Sequence, residues 1–243
     1  MAHAEEAQVD GRFGVLAGLY GGDGKVTHAE RLFGFLEGSY KKCGVCELVT
    51  GPRYQSLSVL NVSVPSDEER RLPWTTTDLY MQWAAQERLS GEDAVECECC
   101  GRRTEHVMQR RVVTGPNIFI VQSRRLFHRG RALQMSRHVV VPEREIDLPG
   151  IGAFELAAVI YHRGQTPTSG HYWCIAKALN GQWWTLNDNT ARRFTEDPER
   201  ANVRQVHLMV YTRLGGRTDF AGMGDGLAEN ADEHGDMHAD ASA

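Results

Sequence analysis

Long apolar runs are absent from this chain of 243 residues. No stretch approaches the roughly 18 consecutive apolar residues that a membrane-spanning helix needs. The first residues, MAHAEEAQVD, are polar and acidic, so they lack the basic and apolar regions of a secretory signal. We therefore expect a soluble intracellular protein, cytoplasmic or nuclear, that has no membrane partner.

A surplus of positive charge is also absent. The formal net charge is −5, and residues 214–243 alone carry −6, with seven acidic residues against one arginine. The rest of the chain is close to neutral, which argues against nucleic-acid binding. We expect a partly flexible N-terminal remnant at 1–30, one folded domain at 31–213, and a disordered acidic tail at 214–243.

Short apolar runs separated by glycine, proline and asparagine dominate the second half of the chain, and they favour an antiparallel sheet. Thr75 and Asp78 form a capping-box pattern, so we predict a helix that begins there and ends before Gly91. The fold class is therefore α+β with mainly antiparallel strands. The predicted strands are 54–64, 117–123, 137–143, 154–162, 171–178, 182–188 and 207–213.

Four of the six cysteines fall into two Cys-x-x-Cys pairs. The pairs are Cys43 with Cys46 and Cys97 with Cys100. Each turn directs two sulfurs toward one centre, and two turns together supply the tetrahedral set of four thiolates that suits zinc. We prefer Cys100 over Cys99 as a ligand because Gly101 then follows as the glycine of the turn. The alternative is two buried or redox-inert pairs that bind no metal.

A histidine and an amide-carboxylate pair lie near the ends of two neighbouring predicted strands. His171 begins one strand, and Asn187 and Asp188 end the next. A turn at Asn180-Gly181 would bring these positions level on adjacent antiparallel strands. Cysteine and serine hydrolases need such a base, held in one tautomer by a neighbouring oxygen. Strand histidines are also commonly structural, so spacing alone leaves both interpretations open.

Seven segments in order make the chain resemble the ubiquitin-specific proteases, papain-like cysteine peptidases that remove ubiquitin. They are LFGFLEGSYKKCGVC, DLYMQWAAQERLSGEDAVECECCG, PNIFIVQSRRLF, FELAAVIYHRG, SGHYWCIAK, WWTLNDN and HLMVYTR. GHY followed by W-x-x-x-N-D is the most specific element. The resemblance runs from about Arg31 to Arg213, with one departure, because Leu126 separates Arg125 from Phe127 in the basic-aromatic motif.

This resemblance implies a papain-like fold with an antiparallel palm and zinc-clipped fingers that grip ubiquitin. It makes His171 the general base and Asn187 its orienting residue, with Asp188 sharing that role or polarising the site. The four paired cysteines would bind structural zinc in the fingers. The loop 162–169 would border the channel for ubiquitin's C-terminal tail, and Trp183 would pack under the strand of the base.

The family's nucleophile segment is missing, since no cysteine precedes Cys43. Residues 1–30 are too few to form the N-terminal thumb lobe that carries it. Cys174 lies three residues after His171 on one strand, so the two side chains point to opposite faces. We expect Cys174 to be a small buried apolar residue, and we expect this chain alone not to cleave ubiquitin conjugates.

Three functions fit these features. The first is a deubiquitinase, with this chain as part of a longer or two-chain thiol hydrolase that cleaves isopeptide bonds at the ubiquitin C-terminus. The second is a non-catalytic module that binds ubiquitin or ubiquitinated proteins. The third is a zinc-stabilised β-domain with an unrelated partner. His171, Asn187 and Asp188 together favour enzyme descent over the third function, and they do not separate the first two.

Overall fold

The computed structural model describes residues 27–65, 73–129, 132–136, 138–166 and 169–215. The expectations of flexibility before residue 27 and of disorder after residue 215 fall outside these residues. None of the helices within the described ranges is long and apolar enough to cross a membrane.

Two short helices begin at capping boxes. In α1 (His28–Phe33), the Thr27 hydroxyl accepts from the Glu30 backbone N–H, and the Glu30 carboxylate accepts from the Thr27 backbone. Thr75 and Asp78 cap α2 (Thr76–Ala84) in the same reciprocal way, at 3.0 and 3.2 Å. The predicted start of this helix is confirmed.

The predicted end of α2 is wrong by several residues. The helix stops at Ala84, because Ala85 takes an extended conformation and the chain then enters a short strand. This strand, β5 (Glu87–Leu89), pairs with the long strand β8 (His106–Thr114). Gly91, with φ +59°, opens a single 3-10 turn instead of ending α2. Long-range pairing therefore overrides the local helical pattern.

A large, mostly antiparallel sheet forms the body of the protein and positions the candidate site. Its strand order is β17-β16-β15-β14-β18-β9-β3, and β13 also pairs with β14. Its one parallel pair joins β3 to β9. The strands are β3 (Leu60–Ser63), β9 (Ile118–Arg124), β13 (Glu145–Leu148), β14 (Gly152–Thr166), β15 (Ser169–Lys177), β16 (Trp183–Asn187), β17 (Thr190–Arg193) and β18 (Val206–Arg213).

A second sheet, which we call the finger sheet, has the order β2-β1-β8-β5. It consists of β1 (Phe35–Cys43), β2 (Val49–Leu57), β5 and β8. The hairpin β6 (Val95–Cys97) and β7 (Arg102–Thr104) lies between β5 and β8 in the chain. Cys43 at the end of β1 and Cys97 at the end of β6 belong to the two cysteine pairs.

Two strand predictions require correction. The strand predicted at 54–64 is two strands in different sheets, because the chain leaves the finger sheet after Leu57 and enters the large sheet at Leu60. The strand predicted at 137–143 shrinks to β12 (Val140–Val141), which pairs in parallel with β4 (Trp74–Thr75). The remaining small pair is β10 (Leu126–Arg129) with β11 (Ala132–Met135). Apolar composition identifies extended chain, and tertiary pairing decides where each strand ends.

One cluster of buried apolar side chains joins α2 to the large sheet. Leu79 and Tyr80 of α2 pack among residues of strands β3, β9, β13, β14, β15 and β18. On β15 this core face includes Ile175, and alternation places Trp173 and His171 on the same face toward the start of the strand. The candidate base therefore lies at the edge of the hydrophobic core.

Candidate active site and cysteine cluster

His171 and Asn187 meet on adjacent antiparallel strands. His171 lies near the start of β15, Asn187 ends β16, and the two strands pair through residues 174–177 and 183–186. Nε2 of His171 is 2.6 Å from Oδ1 of Asn187. Both side chains are partly buried. The structure thus places this pair within hydrogen-bond reach, as the sequence predicts.

This hydrogen bond determines which nitrogen of the neutral imidazole carries the proton. An amide oxygen can only accept a hydrogen bond, so Nε2 of His171 carries a proton and donates the hydrogen bond to Oδ1 of Asn187. In the neutral ring, Nδ1 then holds the lone pair. A ring in this tautomer can take a proton at Nδ1 and become an imidazolium that Asn187 still orients, which is what a general base requires.

The imidazole of His171 also stacks, nearly parallel, on an aromatic side chain. The rings of His171 and Trp173 lie 6.0 Å apart at an interplanar angle of 16°. Trp173 in turn stacks on the buried Tyr161 of β14, at 5.4 Å and 26°. The Arg163 guanidinium lies 5.9 Å from the Trp173 ring. The stack joins the candidate base to the core and limits its motion.

Asp188 occupies a different environment from Asn187. It begins the two-residue turn between β16 and β17, with φ +48°, and it is exposed. Within the described part of the chain, no hydrogen bond or ion pair joins it to His171. Of these two residues, Asn187 is the one hydrogen-bonded to the imidazole, and a role for Asp188 stays a prediction.

Trp183 lies at the far end of the same strand pair. It stands opposite Lys177 and packs, partly buried, against the hydrophobic core. Trp173 is the tryptophan that stacks on the candidate base.

A cavity of about 220 Å³ lies on the opposite face of β14 and β15 from the His171–Asn187 pair. His162 and Tyr172 line it from β14 and β15, and His207 lines it from β18. His171 and Asn187 are not among the described residues that line it, because alternation turns Tyr172 to the opposite face of the strand from His171. The remaining described lining residues are Gln122, Ser123, Arg124, Arg125, Leu126, Met135, Arg204, Gln205 and Val206.

Histidine and arginine side chains dominate the polar character of this cavity. Burial lowers the pKa of His207, and the nearby His162 and Arg125 lower it further. Nε2 of His207 is 3.3 Å from the amide nitrogen of Gln122. Arg125 is buried and donates to the backbone carbonyls of Val206 and other residues. This arginine therefore ties β9 to β18 behind the cavity.

None of the six cysteines lies in the position of a nucleophile for His171. Cys174 faces away from it, with Ile160 and Leu186 as its neighbours across the strands. Burial raises the pKa of the Cys174 thiol, which disfavours the reactive thiolate. Four other cysteines form the cluster described below, and Cys99 is exposed on its turn.

The four paired cysteines converge at the tip of the finger sheet. Their sulfur atoms all lie within 4.8 Å of one another. The Cys43–Cys100 and Cys46–Cys97 sulfurs are 3.9 and 3.5 Å apart. A tetrahedral zinc ion with bonds of about 2.3 Å places its sulfurs about 3.8 Å apart. The cluster therefore has the donor type, number and spacing to hold a metal ion of this kind.

Both cysteine turns end on a residue with positive φ, which curls the chain around the cluster. Gly101 has φ +62°, and its N–H donates to the carbonyl of Cys97 at 2.9 Å. Glu47 has φ +60° and bonds in the same way to Cys43, at 3.1 Å. The predicted role of Gly101 as the glycine of its turn agrees with this geometry.

Two thiols of the cluster have very different pKa values because their hydrogen-bonding surroundings differ. The Thr104 hydroxyl, 3.2 Å from Sγ of Cys43, and nearby backbone N–H groups lower the pKa of that thiol to about 5. Hydrogen bonding to Cys46 and burial raise the pKa of Cys100 to about 12. A bound cation would remove this inequality, because it stabilises all four sulfurs as thiolates.

Comparison with known proteins identifies the family of this chain. A family model described as ubiquitin carboxyl-terminal hydrolase matches residues 24–211. The chain belongs to the ubiquitin carboxyl-terminal hydrolase family. The matched range includes both cysteine pairs and both members of the His171–Asn187 pair.

Individual relatives cover most of this hydrolase-family chain at low identity. Ubiquitin carboxyl-terminal hydrolase 19 of Arabidopsis thaliana is 24% identical over 78% of the chain and 28% of the relative. Probable ubiquitin carboxyl-terminal hydrolase 16 of Schizosaccharomyces pombe is 24% identical over 75% of the chain and 39% of the relative. The chain thus spans between about a quarter and two fifths of the length of these relatives.

A solved structure shares the fold. The yeast SAGA DUBm, in a structure with an Sgf73 mutant, matches with a TM-score of 0.64 and 16% identity. The match covers 76% of this chain and 41% of the other. The predicted fold class, a mainly antiparallel ubiquitin-specific protease fold with few helices, is confirmed.

Sequence reasoning missed three side chains around the site. Trp173 could have been found, because residues i and i+2 of a strand share a face and Trp173 follows His171 by two. His207 and Gln122 carry no such signal. They reach the cavity only because β18 pairs with both β14 and β9, far apart in the chain.

Proposed function

We propose that this chain is the base-bearing part of a thiol hydrolase that cleaves isopeptide bonds at the C-terminus of ubiquitin. The observation that carries the proposal is the 2.6 Å contact between His171 and Asn187 on the large sheet of a hydrolase-family fold. A partly buried structural histidine also pairs its ring N–H, so the family match over residues 24–211 is what favours a catalytic role for this contact.

The proposed reaction uses Nδ1 of His171. A thiol brought within reach of Nδ1 gives its proton to the imidazole, and the thiolate sulfur attacks the isopeptide carbonyl carbon. The imidazolium then protonates the departing lysine amine as the C–N bond breaks, leaving a thioester. A water molecule then gives a proton to the same nitrogen and attacks the thioester carbonyl. The C–S bond breaks, the ubiquitin carboxylate is released, and the sulfur takes the proton back from the imidazolium. Asn187 keeps the ring in position throughout.

The nucleophile in this proposal comes from outside the given sequence. All six cysteines are accounted for, and none faces His171. A longer form of the protein or a second chain would supply the thiol. The exposed ring of Tyr172, next to His171 in the chain, is our candidate for part of the wall of the channel that receives the ubiquitin tail.

We propose zinc as the metal of the cysteine cluster, held by Cys43, Cys46, Cys97 and Cys100. Four sulfur donors near tetrahedral spacing favour zinc over metals that prefer oxygen ligands. Its role would be structural, since four protein ligands leave no open position for substrate. The cluster would keep the finger strands in the shape that grips ubiquitin.

A second candidate function is non-catalytic ubiquitin binding. The observation that favours it is the lack of a cysteine beside His171 within this sequence. Both functions require ubiquitin recognition, and they differ only in whether a thiol is ever presented to Nδ1.

Ubiquitin binding tests both functions together. We expect the chain to bind ubiquitin in a calorimetric titration, and to bind ubiquitin without its C-terminal tail more weakly. Tyr172→Ala, which removes an exposed ring next to His171 in the chain, should reduce this preference for the intact tail. Leu179→Ala, at an exposed turn, is the matched control and should not. No binding to intact ubiquitin would overturn the proposal.

Hydrolysis separates the two functions. The chain alone should neither cleave a fluorogenic ubiquitin substrate nor react with an electrophilic ubiquitin probe. A form that includes a cysteine-bearing segment should do both, and His171→Ala should lower its rate by at least about 100-fold. Labelling of the chain alone that His171→Ala abolishes would show a nucleophile that we do not assign.

A further inference from the structure

His162 is a buried histidine for which the proposed reaction has no use. Its side chain is 9% exposed, and it lies on β14 directly opposite Tyr172. Within the described part of the chain, its Nε2 atom is fully buried without a hydrogen-bond partner. A buried ring nitrogen without a hydrogen-bond partner costs free energy, so other contacts of the ring must offset that cost.

The backbone of the segment before His171 provides such contacts. A Cβ atom built on Gly170 would collide with Nε2 of His162, far inside any allowed contact distance. One built on Gly164 would lie 2.8 Å from Cε1 of the same ring. The imidazole therefore lies where a side chain at position 164 or 170 would collide with it.

The same ring also contacts the residue after His171. The centroids of the His162 and Tyr172 rings are 4.4 Å apart. His162 thus touches the residues on both sides of the candidate base. The pairing of β14 with β15 shifts register between the Arg163–His171 pair and the Thr166–Ser169 pair. The packed ring therefore supports the segment at the point where the regular pairing is interrupted.

We propose that His162 is a positioning residue for His171. Its ring braces the backbone of Gly170 and the side chain of Tyr172, and so sets the angle at which His171 meets Asn187. The catalytic meaning of this role rests on the proposed function, whereas the contact itself does not.

The ring nitrogens of His171 provide a readout that needs no ubiquitin. Long-range ¹H–¹⁵N NMR spectra distinguish the Nε2–H tautomer from a mixture of both. We expect the unmodified chain to show the Nε2–H form, and His162→Ala to shift both His171 nitrogens toward averaged values. His106→Ala removes a buried imidazole from the finger sheet instead, and it should leave the tautomer unchanged.

A double-mutant cycle tests the contact by its stability. Gly170→Ala should destabilise the chain strongly, and its effect should be smaller in the His162→Ala background, where the ring no longer obstructs the methyl group. Relief should be partial, because that methyl group also meets the Arg163 carbonyl at 2.8 Å. Gly38→Ala, whose methyl group meets Val113 in the finger sheet, is the control and should show no coupling to His162.

Three outcomes would overturn the proposal. They are an unchanged His171 tautomer in His162→Ala, additive effects of the Gly170 and His162 substitutions, and the absence of NOEs between the His162 ring and the Gly170 α protons in the unmodified chain. The last measurement remains decisive if a variant does not fold. Ubiquitin binding enters none of these readouts, so failure here is distinguishable from failure of the proposed function.

Discussion

The large sheet and the finger sheet are each stabilised by a different kind of interaction. The large sheet contributes most of the buried core, including the fully buried Phe119, Phe154 and Tyr161. In the finger sheet, β2 is exposed along most of its length, and the buried side chains lie mainly in β1 and β8. Its tip ends in the cysteine cluster.

This difference indicates which region depends on the metal. Hydrophobic burial scales with apolar area removed from water, and it is concentrated in the large sheet. The residues buried at the tip of the finger sheet are small or polar, such as Cys43, Cys97 and Thr104, so a bound cation would supply much of its stability. Because His171 and Asn187 lie on the large sheet, the candidate base pair should survive loss of the metal.

Metal removal should produce the largest effect on the finger sheet. Structural zinc contributes an apparent 10–16 kcal/mol in zinc-finger peptides, roughly, so a chelator should unfold the cluster and its turns. Hydrogen exchange should show lost protection at 43–50 and 95–106, with β14 and β15 still protected. Cys97→Ser should act in the same way, and Cys99→Ser is the matched control. Equal protection with and without metal would contradict a structural role for the cluster.

A cavity in the core of the large sheet should have the next largest effect. Phe119→Ala removes a fully buried ring that contacts Phe35 and Phe154. We expect a loss of about 3–5 kcal/mol in the free energy of unfolding, measured by denaturant titration. Tyr54→Ala, on an exposed position of β2, should change stability by less than about 0.5 kcal/mol. Similar losses for the two variants would erase the contrast between the sheets.

Removing the orienting amide should have a smaller effect on stability and a clear effect on the imidazole. Asn187→Ala should cost about 1 kcal/mol and leave His171 as a mixture of tautomers. Asp188→Ala should leave the tautomer unchanged, because Asp188 lies exposed on the adjoining turn. A tautomer change in the Asp188 variant would assign part of the orienting role to that carboxylate.

The smallest effect should come from acidification. Burial lowers the pKa of His207 in the folded state, so the unfolded chain binds this proton first as the pH falls. The free energy of unfolding should therefore decrease as the pH drops below about 6.5, until the folded pKa is passed. His207→Gln should show a shallower decrease than the unmodified chain over this range. Parallel curves would show that His207 is not the group responsible.

Local patterns predicted those features that neighbouring residues determine. The capping box at Thr75 and Asp78, the two Cys-x-x-Cys turns and the strand around His171 all depend on short stretches of chain. The end of α2 at Ala84 and the break in β2 after Leu57 depend on distant strands, and local composition missed both. His162 and Tyr172 show the same limit, since only the pairing of β14 with β15 places their rings together.

The central claim is that the base and its orienting amide are already paired on a sheet that does not depend on the metal. The most direct test is the ¹H–¹⁵N spectrum of the His171 ring in the unmodified chain, recorded with metal and after chelation. We predict the Nε2–H tautomer in both samples, with the Nε2 proton shifted by its bond to Asn187. A mixture of tautomers with metal bound, or its appearance on chelation, would contradict the claim.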